Sequence, residues 1–363
     1  MTLSRYLARR FAGVFLIVLL IFFGLMLLID MVELIGRFGE PVGMRQMIGL
    51  AALRTPESLY RILPLVMMLA AVAFFLALAR SSELVVIRAT GRSGLRVLGT
   101  PVLVALVIGG MAVMLFNPIV AGTSRQYEEL VARYSNGDSS VLSVSPEGLW
   151  LRQGGEGQQI VIRAGRSNGD GTELYDVTFL VFDSAGRPLS RTDAAEARLT
   201  SGAWILSEVK KWDLSSENPE STATVSATGE IRSDLTKDRI RDSFGDPSAV
   251  PIWDMPDFIA GLDAAGFSAR RHKVWLQMEL AQPFLMAGMV LLAAGFTMRR
   301  SRSGGTGAMV LAAILSGFTI FFLRNFAQVL GENGQIPILI AAWFPPLATI
   351  LLALGMLLHV EDG

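Results

Sequence analysis

The stretch SSELVVIRATGRSGLR, residues 81–96, lies between two strongly apolar runs of the chain. It contains one glutamate and three arginines, so it is too polar and too short to cross the roughly 30 Å of hydrocarbon in a bilayer. The apolar runs on either side are long enough to do so. The sequence therefore predicts two membrane spans joined by a short polar segment, and the rest of the chain is interpreted outward from this point.

The composition of the whole chain indicates the same class of protein. Its 363 residues are 52% hydrophobic and only 18% charged, an apolar excess over ordinary soluble domains. Because the net charge is zero, no nucleic-acid partner is expected. Cysteine is absent, which excludes disulfides, thiolate metal sites and cysteine nucleophiles.

Six apolar runs have the length of a membrane span. The first run follows a basic N-terminal segment, but no small-x-small cleavage site comes after it, so it is interpreted as a retained span and not as a signal peptide. The six predicted spans lie near residues 11–30, 61–79, 98–121, 280–298, 307–323 and 336–358.

The arginines between the spans predict the orientation of the chain. If the six spans alternate in direction, three arginine clusters lie on one side of the membrane, and the positive-inside rule makes that side cytoplasmic. Both termini are then cytoplasmic, and residues 122–270 lie on the far side. The clusters are Arg5, Arg9 and Arg10; Arg80, Arg88, Arg92 and Arg96; and Arg299, Arg300 and Arg302.

Residues 122–270 differ in character from the spans. Short runs rich in β-branched and aromatic residues alternate with turn segments such as SNGDG and SAGRP, which is typical of antiparallel β-domains. VTFLVFDSAGRPLSR, residues 177–191, predicts a hairpin with a glycine-containing loop. The predicted fold class is therefore a membrane α-helical protein with six transmembrane helices and an inserted extracytoplasmic antiparallel β jelly-roll-like domain. The predicted domains are residues 1–121 (helices one to three), 122–270 (the β-domain and its connectors) and 271–363 (helices four to six).

The sequence contains no recognisable catalytic motif. A Walker A loop, an HExxH zinc motif and a nucleophile elbow are all missing. The glycine cluster GGTG, residues 304–307, lacks the lysine that a phosphate-binding loop of this kind requires. We therefore predict no catalytic residue, no metal site and no cofactor, and the chain is not expected to be an enzyme.

The opening stretch has the pattern of an amphipathic helix at about residues 81–97. Arg88, Arg92 and Arg96 recur every four residues and so lie along one stripe of a helix. Another face is mostly apolar and consists of Leu84, Ile87, Gly91, Leu95 and Leu98. Such a helix is expected to lie along the cytoplasmic surface of the membrane.

Two interpretations of this helix remain open. Ser81 can cap its N-terminus, which places Glu83 in the first turn, where the helix dipole favours an anion. The helix is either a surface linker whose arginines contact anionic lipid headgroups, or a docking helix that a separate cytoplasmic ATPase moves. A chain with six spans and no nucleotide site of its own favours the second interpretation.

Several segments resemble one family. SELVVIRATGRS at 82–93 resembles the coupling-helix signature of the lipopolysaccharide export permeases, the LptF/LptG family. Further similar segments are RYLARRF at 5–11, AQPFLMAGMVLLAAGF at 281–296 and LGENGQIPILIAAWFPPLATILLALGMLL at 330–358. The last segment is more similar to the G-type than to the F-type members. With the order of three spans, β-domain and three spans, the resemblance covers essentially the whole chain.

The resemblance implies a permease subunit of an ABC transporter in a bacterial inner membrane. Such a transporter extracts lipopolysaccharide from the inner membrane and passes it to a periplasmic bridge. The implied partners are an F-type permease that completes a heterodimer, an LptB-like ATPase dimer and an LptC-like bitopic protein. Glu83 has the position of the acidic residue that contacts the ATPase in the family, and the other implied coupling residues are Leu84, Ile87, Arg88 and Arg92.

The resemblance also implies contacts to the phosphates of the lipid. Arg37 and Arg125 have positions near the periplasmic ends of the first and third spans, where family members contact these phosphates. Where some relatives have a lysine late in the first span, this chain has Asp30, with Glu33 one turn on. This departure predicts a weaker ring of positive charge, or a lipid with a different phosphate pattern. Ordinary headgroup anchoring is the alternative role for arginines at this interface.

Two other functions remain open from the sequence. One is a permease for another lipid or for a lipoprotein, although such permeases usually group their spans and periplasmic domain differently. The other is a membrane scaffold without transport activity, whose β-domain recruits partners. Co-purification of an ATPase distinguishes the scaffold from the two permeases, and the identity of the bound lipid distinguishes the permeases from each other.

Overall fold

A computed structural model describes residues 2–38, 43–81, 83, 94–134, 142–145, 148–155, 158–168, 171–183, 186–216, 218–233, 235–236, 240, 246–264, 266–297 and 306–362. The helices are α1 (Thr2–Phe38), α2 (Met44–Arg61), α3 (Leu63–Arg80), α4 (Gly94–Met111), α5 (Asn117–Tyr134), α6 (Met255–Ala264), α7 (Arg270–Thr297), α8 (Thr306–Glu332) and α9 (Ile338–Asp362). A π-helical turn, Ala112–Phe116, joins α4 to α5, and Pro247–Ala249 form a short 3-10 helix.

Six of the helices in the described part of the chain are long and apolar enough to span a membrane, which confirms the six predicted spans. They are Leu3–Phe38, Leu63–Arg80, Val97–Val131, Arg270–Thr297, Gly307–Glu332 and Ile338–His359. The first has 36 residues and, at 1.5 Å per residue, extends to about 54 Å, well beyond the hydrocarbon. The helix α2 was not predicted, because its charged residues keep its mean hydropathy below that of a span.

The helical core is built around α7. This helix packs against α3, α4, α8 and α9 and is buried around most of its circumference. Gly109 of α4 permits a close approach, since an added Cβ would lie 2.6 Å from Pro283 Cα of α7. The helices α1 and α3 meet through Phe11 and Phe74, whose ring centroids are 5.2 Å apart.

Seven strands form one antiparallel sheet in which each strand pairs with its neighbours in sequence. The strands are β1 (Leu142–Ser145), β2 (Gly148–Gly155), β3 (Gln158–Ser167), β4 (Glu173–Phe182), β5 (Pro188–Thr200), β6 (Ala203–Asp213) and β7 (Thr224–Arg232). The predicted antiparallel β-domain is confirmed. Because the described strands form a single sheet in sequence order, the jelly-roll-like closure stays a prediction.

One face of the sheet carries a small apolar core. Phe179 of β4 and Trp204 of β6 are fully buried, and their rings meet edge to face with centroids 6.3 Å apart. The predicted hairpin is confirmed between β4 and β5, where Asp183 N donates to Arg187 O over 2.9 Å. Gly186 supplies the positive φ of +80° in this loop.

The chain divides into two compact units. The helical unit comprises Met1–Tyr127, Ser248–Trp253 and Arg270–Gly363, and the sheet unit comprises Glu128–Pro247 and Asp254–Ala269. The short segment Ser248–Trp253 (hereafter the connector) lies in sequence between the two parts of the sheet unit but belongs to the helical unit.

Candidate functional site

A polar stripe on α2 forms one wall of a candidate binding cavity. Arg54, Glu57, Ser58 and Arg61 are three or four residues apart and so lie on one helical face. Another face of the same helix is turned inward and consists of buried residues, which are Met47, Leu50, Ala51, Thr55, Leu59 and Tyr60. The amphipathic pattern of α2 therefore separates a packing face from a charged face.

The charged face of α2 meets residues from two spans. Arg37, near the C-terminal end of α1, and Tyr127 of α5 complete an open cavity of about 320 Å³ with the α2 stripe. We call this the arginine cavity; its lining residues are Arg37, Arg54, Glu57, Ser58, Arg61 and Tyr127. Three guanidinium groups at one site suit an anionic ligand, because arginine pairs in bidentate geometry with carboxylates and phosphates.

Acidic residues of α1 hold one of these arginines in place. Arg54 Nη1 lies 2.8 Å from Glu33 Oε1, and its Nε lies 3.7 Å from Asp30 Oδ1. Burial opposes the charge of Arg54, but the ion pair with Glu33, together with Tyr127 and Asp30, raises its pKa above the usual value. Asp30 is buried and accepts hydrogen bonds from Thr55 and Ser58, both over 3.1 Å. The two carboxylates therefore neutralise and orient Arg54.

The other two arginines of the cavity are more accessible. Arg61 pairs with Glu57 over 2.9 Å, and 63% of its side chain remains exposed. Arg37 is exposed and lies over the Phe38 ring, 5.4 Å from the centroid. Within the described residues no carboxylate lies within salt-bridge distance of Arg37. Arg37 is thus the cavity's most available cation for an incoming anion.

Arg125 has a different environment from Arg37. Its Nη2 donates to the carbonyl of Ala249 in the connector over 3.2 Å, and it does not line the arginine cavity. The two arginines that the resemblance pairs are therefore not brought to one cavity. Tyr127, two residues further along α5, occupies the cavity wall instead.

The acidic residue of the opening stretch is held by side chains of α1. Glu83 accepts from Arg10 Nη1 at 2.7 and 2.6 Å, from Tyr6 at 3.1 Å and from Ser81 at 2.8 Å. Ser81 ends α3 and also donates to the Ala77 carbonyl. The hydrogen bonds from Arg10 and then from Ser81 hold the pKa of Glu83 below its usual range. We call these four residues the Glu83 cluster.

The remaining predicted coupling residues, Leu84, Ile87, Arg88 and Arg92, lie outside the described residues. Their helix at about 81–97 stays a prediction. The sequence did not indicate that Arg10 contacts Glu83; Arg10 was used only as one of the arginines that predict the orientation of the chain in the membrane. Its spacing of four residues from Tyr6 on a helix that enters the membrane was the available signal.

The chain is similar to known proteins over nearly its whole length. The family model described as "Lipopolysaccharide export system permease LptF/LptG" matches residues 5–359. The chain is 27% identical over 313 residues to the lipopolysaccharide export system permease protein LptG of Escherichia coli K12, which covers 85% of this chain and 84% of the relative. It is 24% identical over 371 residues to LptG of Haemophilus influenzae, with 99% of each chain covered.

The family match extends from the first turns of α1 to the last turns of α9. It therefore includes the six spans, the inserted sheet, the arginine cavity and the Glu83 cluster. Both relatives are G-type proteins, in agreement with the predicted likeness of the C-terminal segment. The chain therefore belongs to the LptF/LptG family of lipopolysaccharide export permeases.

Proposed function

We propose that this chain is the G-type permease subunit of an ABC transporter that extracts lipopolysaccharide from the bacterial inner membrane and passes it to a periplasmic bridge. The family match over residues 5–359 carries this proposal. ATP hydrolysis belongs to a separate LptB-like ATPase dimer, and an F-type permease completes the heterodimer. Both termini are cytoplasmic, with residues 1–121 and 271–363 in the membrane domain and residues 122–270 in the periplasm.

The arginine cavity supports an anionic headgroup as ligand. We propose that a lipid phosphate first meets Arg37, which is exposed and has no carboxylate partner among the described residues, and then draws Arg61 from Glu57. Surface pairs of this kind contribute only about 0–1 kcal/mol, so a phosphate with two charges can displace Glu57. Arg54 is held by Asp30 and Glu33, which neutralise its charge, so it shapes the cavity wall without moving.

Arg125 is proposed to contact a lipid phosphate outside the arginine cavity. Its bond to the Ala249 carbonyl uses one of its five N–H donors, so donors remain for a phosphate near the end of α5. Arg125 therefore has both a connector contact and a proposed lipid contact, whereas Arg37 has only the latter.

Lipid analysis of the full chain, purified in mild detergent, tests this proposal. Mass spectrometry of the bound lipid should identify lipopolysaccharide, and the variant pair Arg37→Glu and Arg61→Glu should lower its occupancy, more at low salt than at high salt. Arg187→Glu, an arginine that is 80% exposed in the sheet unit, serves as the control. Unchanged lipid occupancy in the double variant, or a different bound lipid, would contradict the assignment.

Coupling to the ATPase is proposed through the segment at about 81–97 with Glu83, Leu84, Ile87, Arg88 and Arg92. Because Arg10 and Tyr6 already hold Glu83, an arginine of the ATPase must share or displace Arg10. Glu83→Ala should leave membrane insertion intact and lower ATPase association and export. A charge-swapped residue on the ATPase that restores export would identify the pair, and normal ATPase binding by Glu83→Ala would leave the segment a surface linker.

An LptC-like bitopic protein is the proposed partner of the sheet. The strands β1 and β7 each pair on one side only within the described sheet, and unpaired edges are templates for strand addition. Photo-crosslinkers along β1 and β7 should capture the partner at one edge. Crosslinks confined to loops would contradict strand addition, and protease cleavage of SSENPES (215–221) only from the cytoplasmic side would reverse the topology.

A further inference from the structure

A carboxylate that belongs neither to the lining of the arginine cavity nor to the Glu83 cluster lies deep in the helical unit. Glu279 of α7 is 1% exposed, and a charged side chain within a membrane span is costly unless it is paired and hydrogen-bonded. The hydroxyl of Tyr60 donates to Glu279 Oε2, and Asn117 Nδ2 donates to the same oxygen over 3.3 Å. Neither partner explains how the negative charge is balanced.

The balancing charge comes from the next span. Arg324 of α8 is 7% exposed, and its Nη2 donates to Gln282 Oε1 over 3.2 Å. Gln282 is three residues beyond Glu279 on α7, so the two side chains are neighbours on one face. Opposite charges attract strongly where water is excluded, and Gln282, which accepts from Arg324 and lies beside Glu279, provides the hydrogen-bonded link between them.

Two polar atoms of this group have no hydrogen-bond partner within the described residues. They are Glu279 Oε1 and Gln282 Nε2, and both are buried. A carboxylate oxygen requires a donor and an amide N–H requires an acceptor, so one water satisfies both. The chemistry of the two atoms therefore fits a single bound water between neighbouring side chains.

The same group is tied to the connector. Asn117 Oδ1 accepts from the backbone N–H of Ile252 over 2.9 Å. Pro118, the next residue, has no N–H to offer to the Met114 carbonyl one turn earlier, and that carbonyl accepts from Trp253 Nε1 over 3.2 Å. The side chain of Asn117 and the carbonyl of Met114 thus both hold the connector.

Apolar packing alone specifies the position of α8 weakly. Phe318, Phe322 and Phe326 are exposed on this helix, and lipid tails are as apolar as those side chains, so burial gives little preference for one rotation of the helix in a membrane. Arg324 lies away from this apolar surface and donates to Gln282 of α7, and Arg270 of α7 donates to the Gly331 carbonyl near the end of α8 over 2.6 Å. Polar contacts at two levels of α8 therefore fix its rotation against α7, and only the one at Arg324 is buried.

We propose that Glu279, Gln282 and Arg324 form a water-bridged ion pair that sets the position of α8 against α7, with Asn117 extending the network to the connector. Glu279 and Arg324 are positioning residues in this scheme, and Gln282 with Glu279 binds the water. The proposal concerns the helical unit itself and does not depend on the identity of the transported lipid.

A double-mutant cycle on the full chain in mild detergent tests the ion pair. Glu279→Gln and Arg324→Gln should each lower the thermal midpoint by roughly 5–15 °C, since each leaves one buried charge uncompensated. The double variant has neither charge and should lose clearly less than the sum of the single losses. Glu332→Gln, which removes a half-buried carboxylate from the end of α8, is the control. Additive losses, or losses no larger than the control, would overturn the pair.

Charge exchange separates positioning from general destabilisation. Glu279→Lys places two cations together and should abolish export, whereas Glu279→Lys combined with Arg324→Glu should recover a large part of both export and thermal stability. Recovery of stability in a chain that binds no lipopolysaccharide would support the ion pair and contradict the proposed function, so the two outcomes are distinguishable. No recovery of the thermal midpoint would overturn the pairing.

X-ray radiolytic footprinting tests the water, because bound waters generate radicals beside buried side chains. Tyr60, which is 3% exposed and donates to Glu279, should be oxidised in the wild type. In Gln282→Leu, which removes one of the two anchoring atoms, this oxidation should fall several-fold. Absence of Tyr60 oxidation in both proteins would overturn the bound water.

Discussion

Two clusters of the helical unit are built from the same side-chain types in opposite environments. In the Glu83 cluster, a glutamate is held by Tyr6 and Arg10, and the side chains of Arg10 and Glu83 are 28% and 32% exposed. In the Glu279 cluster, which comprises Tyr60, Asn117, Glu279, Gln282 and Arg324, every member is at most 7% exposed. In the exposed cluster Arg10 and Glu83 form a direct ion pair of 2.6 Å. In the buried cluster Arg324 and Glu279 are linked through Gln282.

The difference shows that contact distance does not rank electrostatic contributions. Water screens the exposed pair and solvates each partner if the pair breaks, so such pairs contribute about 0–1 kcal/mol. Water does not solvate a buried group that loses its partner, so removal of one partner of a buried pair costs roughly 3–5 kcal/mol. The exposed cluster can therefore exchange partners at small cost, as docking requires, whereas the buried cluster is suited to fixing structure.

Among variants that leave both charges of the buried pair in place, the largest effect is expected where a single side chain serves two buried groups. Asn117→Ala removes the acceptor of the Ile252 N–H and a donor to Glu279, so the free energy of unfolding in detergent should fall by about 2–4 kcal/mol. Asn333→Ala, at an exposed asparagine in the turn after α8, should change it by less than about 0.5 kcal/mol. Equal effects of the two variants, measured by thermal unfolding, would remove the distinction.

The two tyrosines give the most direct comparison. Tyr60→Phe removes one hydroxyl from the buried glutamate and should cost about 1.5–3 kcal/mol, as for a hydrogen bond to a charged group. Tyr6→Phe removes the corresponding hydroxyl from Glu83 and should cost less than about 0.5 kcal/mol. Denaturation of both variants under one detergent condition measures the ratio, and similar losses would mean that Glu83 is desolvated as fully as Glu279.

A smaller effect is expected from the exposed ion pair itself. Arg10→Gln should lower the free energy of unfolding by at most about 1 kcal/mol, and the loss should diminish as salt increases. Unfolding measured at low and high salt in both proteins checks this. A loss that is independent of salt would show that Arg10 acts through packing on Tyr6, over whose ring its guanidinium lies.

The smallest effect is the pH dependence of that loss. Arg10, and then Ser81, hold the pKa of Glu83 below its usual range, so the pair stabilises the fold above the ordinary glutamate pKa of about 4.3. This contribution is lost as the pH falls through the lowered pKa of folded Glu83. The stability difference between wild type and Arg10→Gln should thus be constant from about pH 6 to 8 and vanish at strongly acidic pH. A difference that persists in acid would exclude Glu83 as the partner.

Local patterns were sufficient for much of the fold. A membrane span and a strand each leave a repeating signature within about 20 residues, so the six spans and the β4–β5 hairpin could be predicted from consecutive residues. The helix α2 was missed because its polar stripe, Arg54 to Arg61, disguises an apolar face that packs against α1. Its amphipathic period was visible in the sequence, but its place against α1 was not.

The sites depended on contacts between distant residues. Sequence alone determined that the chain has a membrane domain, an inserted sheet and segments similar to those of the LptF/LptG family. It could do so because hydrophobic periodicity and motif spacing are local properties. Only the tertiary structure decided that Arg37 joins Arg54 and Arg61 while Arg125 contacts the connector, and that Tyr60 reaches Glu279, 219 positions away. The physical reason is that desolvation gives a charge its energetic weight, and desolvation is set by which helices pack around it.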